Sequence, residues 1–223
     1  MAGFARQGLN CYFGPTRLAG WGSAFKYDSV SIMTNVRTFL MMGRPGAGKG
    51  TQAKLLAKKL GGEIYSSGNR LREMGRGEGF VAQKVKATID RGELLPAWFS
   101  SHLFVDVLLG LSPTDDIVFE GSCRTEPEAR AFDETALWLE RPYRVIFLNI
   151  SDAEVEKRLT LRKGLEGRMD DASDKIDYRI KEYEEKTVPA VEFFKQRGTI
   201  LEINGEQTPE AVHENILRVL QIS

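Results

Sequence analysis

"GRPGAGKGTQ" (Gly43–Gln52) decides how the rest of this chain is read. It follows a short apolar run, "TFLMMG" (38–43). It opens into "KGTQAKLLAKKL" (49–60), where Leu55, Leu56 and Leu60 recur at helical spacing before the stop signal Gly61-Gly62. A glycine-rich turn between a strand and a helix aims backbone N–H groups at an anion, and the helix dipole adds to the attraction. Gly43, Gly46 and Gly48 permit the tight path, and Lys49 supplies a point charge to the outer phosphates of a nucleotide. The stretch departs from the common phosphate-loop pattern in one respect: Gly50 follows Lys49, and Thr51 comes one place late. The hydroxyl that ordinarily ligates Mg²⁺ is therefore missing. Thr51 is better placed to contact an inner phosphate, which leaves the metal to phosphate oxygens and water and suits an ion that dehydrates reluctantly.

Four further runs resemble the one before the loop: "GEIYS" (62–66), "DIVFEG" (116–121), "RVIFLNI" (144–150) and "TILEIN" (199–204). Short, nearly continuous apolar runs predict strands buried on both faces of a parallel sheet. Helical patterns separate them. "DAEVEKRLTLR" has Asp152 as its candidate N-cap. "DKIDYRIKEYEEKTVPAVEFFKQRG" is expected to bend around Pro189, and "PEAVHENILRVL" closes the chain. This alternation predicts an α/β fold, a five-stranded parallel sheet flanked by helices. The longest gap between strands, 67–115, carries helical material of its own and is expected to form a small mobile subdomain.

The 223 residues suffice for one sizeable core. Lys and Arg total 31 and Asp and Glu total 31, so the chain has no global attraction for nucleic acid or an anionic membrane. Anion binding must come from local clusters. No apolar run approaches the ~20 residues that span a bilayer. The two cysteines, Cys11 and Cys123, lie far apart and outside any CxxC pattern, which excludes a cysteine zinc knuckle and favours a reducing compartment. Residues 1–32 hold Arg6, Arg17 and Lys26 against a single acid, Asp28, without periodicity. They are read as a disordered or non-native extension, with Met33 as a plausible true start. An organelle transit segment is the other reading. The expected compartment is the cytoplasm, or the mitochondrion if 1–32 is such a segment.

The loop string resembles that of nucleoside monophosphate kinases, especially adenylate kinases, and the resemblance continues in order from about Thr38 to Leu220. "YSSGNRLRE" is similar to the family's Ser-Thr-Gly-Asp-x-x-Arg segment, and "RGELLP" to its Gly-x-Leu-Val-Pro segment. "EGSCRTEPEA" resembles Asp-Gly-Phe-Pro-Arg-Thr-x-x-Gln-Ala, "EKRLTLR" supplies two spaced arginines, and "GRMDDASDKIDYRIKEYEEKTVPAVEFFKQRG" matches the last conserved stretch. The resemblance implies a P-loop kinase domain over 33–223, with a helical monophosphate-binding insertion at about 66–96 and a short lid at about 163–170. It implies reversible transfer of the terminal phosphoryl group of ATP to AMP, giving two ADP. Such transfer runs on positioning and charge stabilisation, which arginine forks supply. By the resemblance, Lys49, Arg124, Arg158, Arg168 and Arg179 are catalytic. Gly46, Ala47, Gly48, Lys49, Gly50, Thr51, Arg162 and Gln207 bind ATP. Ser67, Arg72, Glu93, Leu94, Leu95, Gly121, Ser122, Cys123, Arg124, Glu128, Arg168 and Arg179 bind the monophosphate. Glu120 holds Mg²⁺ through water. Only "KGLEG" separates Arg162 from Arg168, so the chain resembles the short-lid forms, with no structural zinc and with Gly164 and Gly167 giving freedom for closure. ATP and AMP, or another monophosphate, are the implied partners of a monomer that binds neither nucleic acid nor membrane.

Several positions depart from the family pattern. Asn69 replaces Asp, Glu120 replaces Asp, Ser67 replaces Thr, and Ser122-Cys123 replaces Phe-Pro. Cys123 beside Arg124 is either a thiol of lowered pKa or a buried inert one. Glu128 stands where adenylate kinases have Gln. An ionised Glu accepts hydrogen bonds but cannot donate one to adenine N1, and it would suit the amino group of cytosine or the two donors of guanine. An exposed Glu128 in a shifted loop is the other reading. A UMP/CMP or broader monophosphate kinase and a nucleotide-binding module without catalysis are the rivals. Six retained arginines argue against the second.

Overall fold

Strands form where the apolar runs predict them. β1 is Thr38–Gly43, β2 Glu63–Ser66, β3 Ile117–Glu120, β4 Tyr143–Asn149 and β5 Ile200–Asn204. The computed structural model describes residues 36–166 and 173–222. The extension 1–32, Gly167 and Arg168 lie outside them. The strands pair in parallel in the order β2-β3-β1-β4-β5, with Leu40 opposite Phe119 on one side and Val145 on the other. β1 and β3 are buried almost throughout and β4 nearly so, as expected. β2 and β5 are not: Glu63 and Ile64 are exposed, and β5 buries only Ile203 fully. These are the edge strands, each with one neighbour.

Alternation along β1 divides the core. Phe39 and Met41 face a layer built by Leu56 of α1 (Lys49–Leu60), Val155 and Leu159 of α6 (Asp152–Glu166), and Val212 and Ile216 of α9 (Pro209–Leu220). Leu40 and Met42 face the other layer: Phe104 and Leu108 of α4 (Ala97–Gly110), Phe132 of α5 (Glu126–Trp138) and Phe194 of α8 (Val188–Gln196). A ladder of tilted and edge-on rings runs through this second layer, with centroids of Phe104 and Phe132 5.7 Å apart, Phe132 and Tyr143 5.2 Å, and Tyr143 and Phe194 5.8 Å. Such pairs add to the area they bury. The Tyr143 hydroxyl donates to Asp133 Oδ1 at 2.7 Å, and Arg197 pairs with the other Asp133 oxygen at 3.0 Å, so both oxygens of this buried carboxylate are matched.

Local signals decide the helix ends. α1 stops at Gly61, whose left-handed conformation (φ 67°) lets its N–H reach back to the last carbonyls. Asp152, expected as an N-cap, is instead the first residue of α6. The Val155 N–H bonds to the carbonyl of Ser151, so the helix starts one residue earlier than the pattern suggests. The bend expected at Pro189 is also relocated. α7 (Ser173–Glu182) continues into a π turn, Tyr183–Thr187, before α8, and the Val188 N–H reaches back five residues to Tyr183. Proline lacks an N–H and crowds the carbonyl four residues before it, and the wider turn absorbs both just upstream of Pro189.

The insertion is smaller than the gap 67–115 implied. α2 (Ser67–Gly75) and α3 (Phe80–Asp90) pack mainly against each other, with α2 touching the sheet at β2 and β3. α2 has no buried residue, and α3 buries only Ala82 and Val85. α4 belongs to the core through Phe104 and Leu108. α6 also runs on through Gly164 to Glu166, so the backbone at Gly164 is helical rather than the start of a loose lid. Among the described residues no helix is long and apolar enough to cross a membrane.

Candidate active site

Strand order reverses around β1, which lies between β3 and β4, and open α/β sheets bind ligands at the carboxyl ends of their strands at such a switch point. Three segments meet there: the loop after β1, the Glu120-Gly121 end of β3, and the insertion. Together they enclose a cavity of about 760 Å³.

One wall is the phosphate loop. α1 begins at Lys49 with no side-chain cap, no acidic residue in its first turn, and Gly48 in a left-handed conformation (φ 87°) as its N-cap. Its first N–H groups and the positive end of its dipole are therefore left for an anion. Lys49 Nζ donates to the carbonyls of Gly43 (2.8 Å) and Arg44 (2.7 Å), so it is folded back along the loop. Gly46, Gly48, Lys49, Gly50 and Thr51 all line the cavity, whereas Ala47 is buried beneath it. Arg158, from α6, also lines it. Its Nε donates to Glu154 Oε1 at 2.7 Å, and this contact is the main cause holding the Glu154 carboxyl below the usual range. Of the other expected ATP contacts, the Arg162 side chain lies outside the described part. Gln207 lies elsewhere: its Oε1 accepts from Asn215 Nδ2 at 2.6 Å on α9, and it does not line the cavity. The local sequence gave no sign that α9 would claim it.

The opposite wall comes from the insertion and the β3 turn. Ser67, Arg72, Glu93, Leu94 and Leu95 line the cavity, with Gly121, Arg124, Glu128 and Arg179 facing them. Arg72 Nη2 donates to Asn69 Oδ1 at 2.6 Å, a neutral partner where the family pattern has a carboxylate. Gly121 is held at φ 76°, a conformation that favours glycine, and a Cβ there would sit 3.0 Å from the Arg124 guanidinium and press on it. Arg124 Nε donates to the Gly121 carbonyl at 2.9 Å, and Thr187 Oγ1 donates to the Arg124 carbonyl at 2.9 Å. The turn is thereby tied to the π turn after α7. Glu120 ends β3 at the cavity, with its Oε2 accepting from Ser66 Oγ at 2.9 Å. Among the described residues no group of three or more His, Cys, Asp and Glu could hold a metal. One carboxylate beside a polyphosphate site still fits Mg²⁺, which keeps most of its ligands as water and phosphate oxygen.

Of the expected monophosphate contacts, Ser122 and Cys123 are buried and do not line the cavity, whereas Glu128 does. Cys123 does not present its thiol to the acceptor. The side chain is fully buried in the core layer under the cavity, and burial pushes the thiol well up, so it is the inert cysteine of the two readings. Ser122 is also buried, with its hydroxyl 2.7 Å from that of Ser67. Glu128 is not in an exposed loop: it is 2% exposed. Its Oε2 accepts from the Arg124 N–H at 3.0 Å and its Oε1 from Thr125 Oγ1 at 3.2 Å. Burial raises its pKa, against the pull of the Arg124 N–H, the Arg124 charge and the Thr125 hydroxyl. The signal was in the sequence: Thr125-x-x-Glu128 is a capping-box pattern, and Thr125 is the N-cap of α5.

Comparison with known proteins bears on the same residues. A family model described as adenylate kinase matches residues 41–199. An adenylate kinase of Thermus thermophilus is 34% identical over 188 residues, covering 82% of this chain and 96% of that protein. One of Leptospira biflexa is 32% identical over 184 residues, covering 82% and 99%. One of Azobacteroides pseudotrichonymphae is 30% identical over 186 residues, covering 83% and 96%. A phosphate loop and an arginine-bearing wall lining one cleft, in a sequence this similar over this length, mean that the chain belongs to the adenylate kinase family, phosphotransferases that convert ATP and AMP into two ADP.

Proposed function

We propose that this chain performs that transfer inside this cavity, with ATP phosphates on the loop Gly46–Thr51 and AMP between the insertion and the β3 turn. The observation that carries this division is that Lys49, Arg124, Arg158 and Arg179, from four separate elements, all line the same cavity. Lys49 swings from the Gly43 and Arg44 carbonyls onto the outer donor phosphates. Arg72 and Arg124 grip the AMP phosphate, and Arg158 and Arg179 meet the transferring group as its charge spreads over the equatorial oxygens. The family resemblance adds Arg162 and Arg168, and Glu120 would hold the water shell of Mg²⁺. When bound, that ion neutralises charge on the donor phosphates. Because one chain builds both walls, the protein acts as a monomer. Two widely separated cysteines, one of them buried, support the cytoplasm as its compartment.

Glu128 reads the base. As a neutral carboxylic acid it offers adenine one donor and one acceptor, as an amide would, and burial favours that form. The test is a coupled assay with ATP·Mg²⁺ against AMP, CMP, UMP, dAMP and GMP, with R179M as control. AMP should be preferred, and R179M should lower kcat by about 10²–10³-fold with little change in Tm. Wild-type turnover in R179M would remove Arg179 from the transfer, and preference for CMP would mean that Glu128 acts as a carboxylate.

A further inference from the structure

We propose that Arg44 is a positioning residue for the transfer: its side chain locks the phosphate loop to the two helices that carry Arg158 and Arg179. The inference rests on the roles assigned above to Lys49 and those two arginines. The backbone of Arg44 is part of the loop, since its carbonyl accepts from Lys49 Nζ at 2.7 Å and from the Ala47 N–H at 3.1 Å. Its side chain turns away, and Arg44 does not line the cavity. The guanidinium forms an ion pair with Asp152, the first residue of α6, and lies 6.0 Å from the ring centroid of Tyr183, the first residue of the π turn.

Arg158 follows Asp152 on α6, and Arg179 lies one turn before Tyr183 on the helix that runs into the π turn. The loop also backs onto α6 directly, since a Cβ at Gly46 would lie 3.5 Å from Arg158 Cβ and Leu159 Cγ. One planar cation thus touches the base of each arm that brings an arginine to the reacting phosphates. A guanidinium can pair with a carboxylate at its edge and rest on a ring at its face, which an ammonium cannot do with one geometry. Asp152 is 77% exposed, and such a pair adds little to folding stability. What the contact supplies is registration. Transfer depends on in-line alignment, where a displacement of about 1 Å costs about 100-fold.

The test compares R44A, R44M, R44K, D152A and R44A/D152A by kcat, by KM for each nucleotide and by Tm. R44A and R44M should each lower kcat about 10-fold, with KM for AMP within about twofold and Tm within a few degrees. R44K should recover part of the loss by restoring the ion pair alone. D152A should lose less than R44A, and the double variant no more than R44A. Wild-type kcat in R44A would overturn the inference. So would full recovery in R44M, which would make the contact mere packing, or a rise in KM for ATP alone, which would place Arg44 on the phosphate. K49M separates the two levels. Wild-type turnover in K49M would remove the donor-site reading itself, whereas an inactive K49M beside an unimpaired R44A would remove only the role of Arg44.

Discussion

Glu128 couples the pH dependence of the fold to the base reading proposed for it. Its carboxyl is buried, raised in pKa mainly by desolvation, and fixed by the Arg124 N–H and the Thr125 hydroxyl. For an acid whose folded pKa lies above its unfolded value, the sign is fixed. Below the unfolded pKa both states are protonated and the site contributes fully. As pH rises the unfolded chain ionises first, and stability is lost until pH passes the folded pKa. Glu128→Gln removes that loss. Its amide oxygen can keep the Arg124 N–H, and the Thr125 hydroxyl can rotate to accept from the amide. The Tm of E128Q should match wild type below about pH 4 and exceed it at pH 8. KM for AMP should rise with pH in wild type as the donor proton is lost, and stay flat in E128Q. A flat wild-type profile would show that Glu128 does not donate to the base. Chemistry-bearing positions were legible because short strings define them. Burial was not, since it depends on Cys123 and Thr125 turning the chain so that Glu128 points inward.

Elements were read with similar success and similar limits. β1, β3 and β4 announced themselves as apolar runs because helices cover both faces, while the edge positions of β2 and β5 had no local signature. The π turn was hidden because it answers a clash that Pro189 creates upstream of itself. Arg141 was invisible for a deeper reason: all its partners are distant in sequence. It is 7% exposed at the start of β4. Its Nε donates to Thr38 Oγ1 at 2.6 Å and its Nη1 to the Ser112 carbonyl at 2.9 Å, and its Nη2 reaches the Asp115 carbonyl. One guanidinium therefore binds the first residue of β1 to the α4–β3 connection. Removing it strands the buried Thr38 hydroxyl and leaves the Ser112 and Asp115 carbonyls of the exposed connection to water, so R141M should lose about 1–3 kcal/mol in chemical denaturation. The brace lies at the amino ends of the strands, opposite the cleft, so KM for both nucleotides should stay within about twofold of wild type. A kinetic defect larger than the stability loss would mean that the two ends of the sheet are coupled.

The molecule as a whole joins a rigid sheet to a thinly attached acceptor wall. The sheet is sealed by two full apolar layers, whereas α2 buries nothing and α3 buries two residues. Segments with few buried contacts open at low free energy, while core helices open only with global unfolding. The acceptor wall holds Ser67 and Arg72, and AMP would bridge it to Arg124 on the β3 turn. The nucleotide therefore supplies the contact that the apolar residues do not. Hydrogen exchange followed by mass spectrometry checks this balance. Amides of residues 67–90 should exchange far faster than those of α5, and a bisubstrate molecule joining two adenosines through a phosphate chain should slow exchange in 67–90 by about tenfold or more while leaving α5 unchanged. ATP alone should do much less, because it occupies the loop and not the bridge. Equal protection by ATP alone would place the donor across both walls, and fast exchange in α5 without ligand would mean that the ring ladder does not anchor the core.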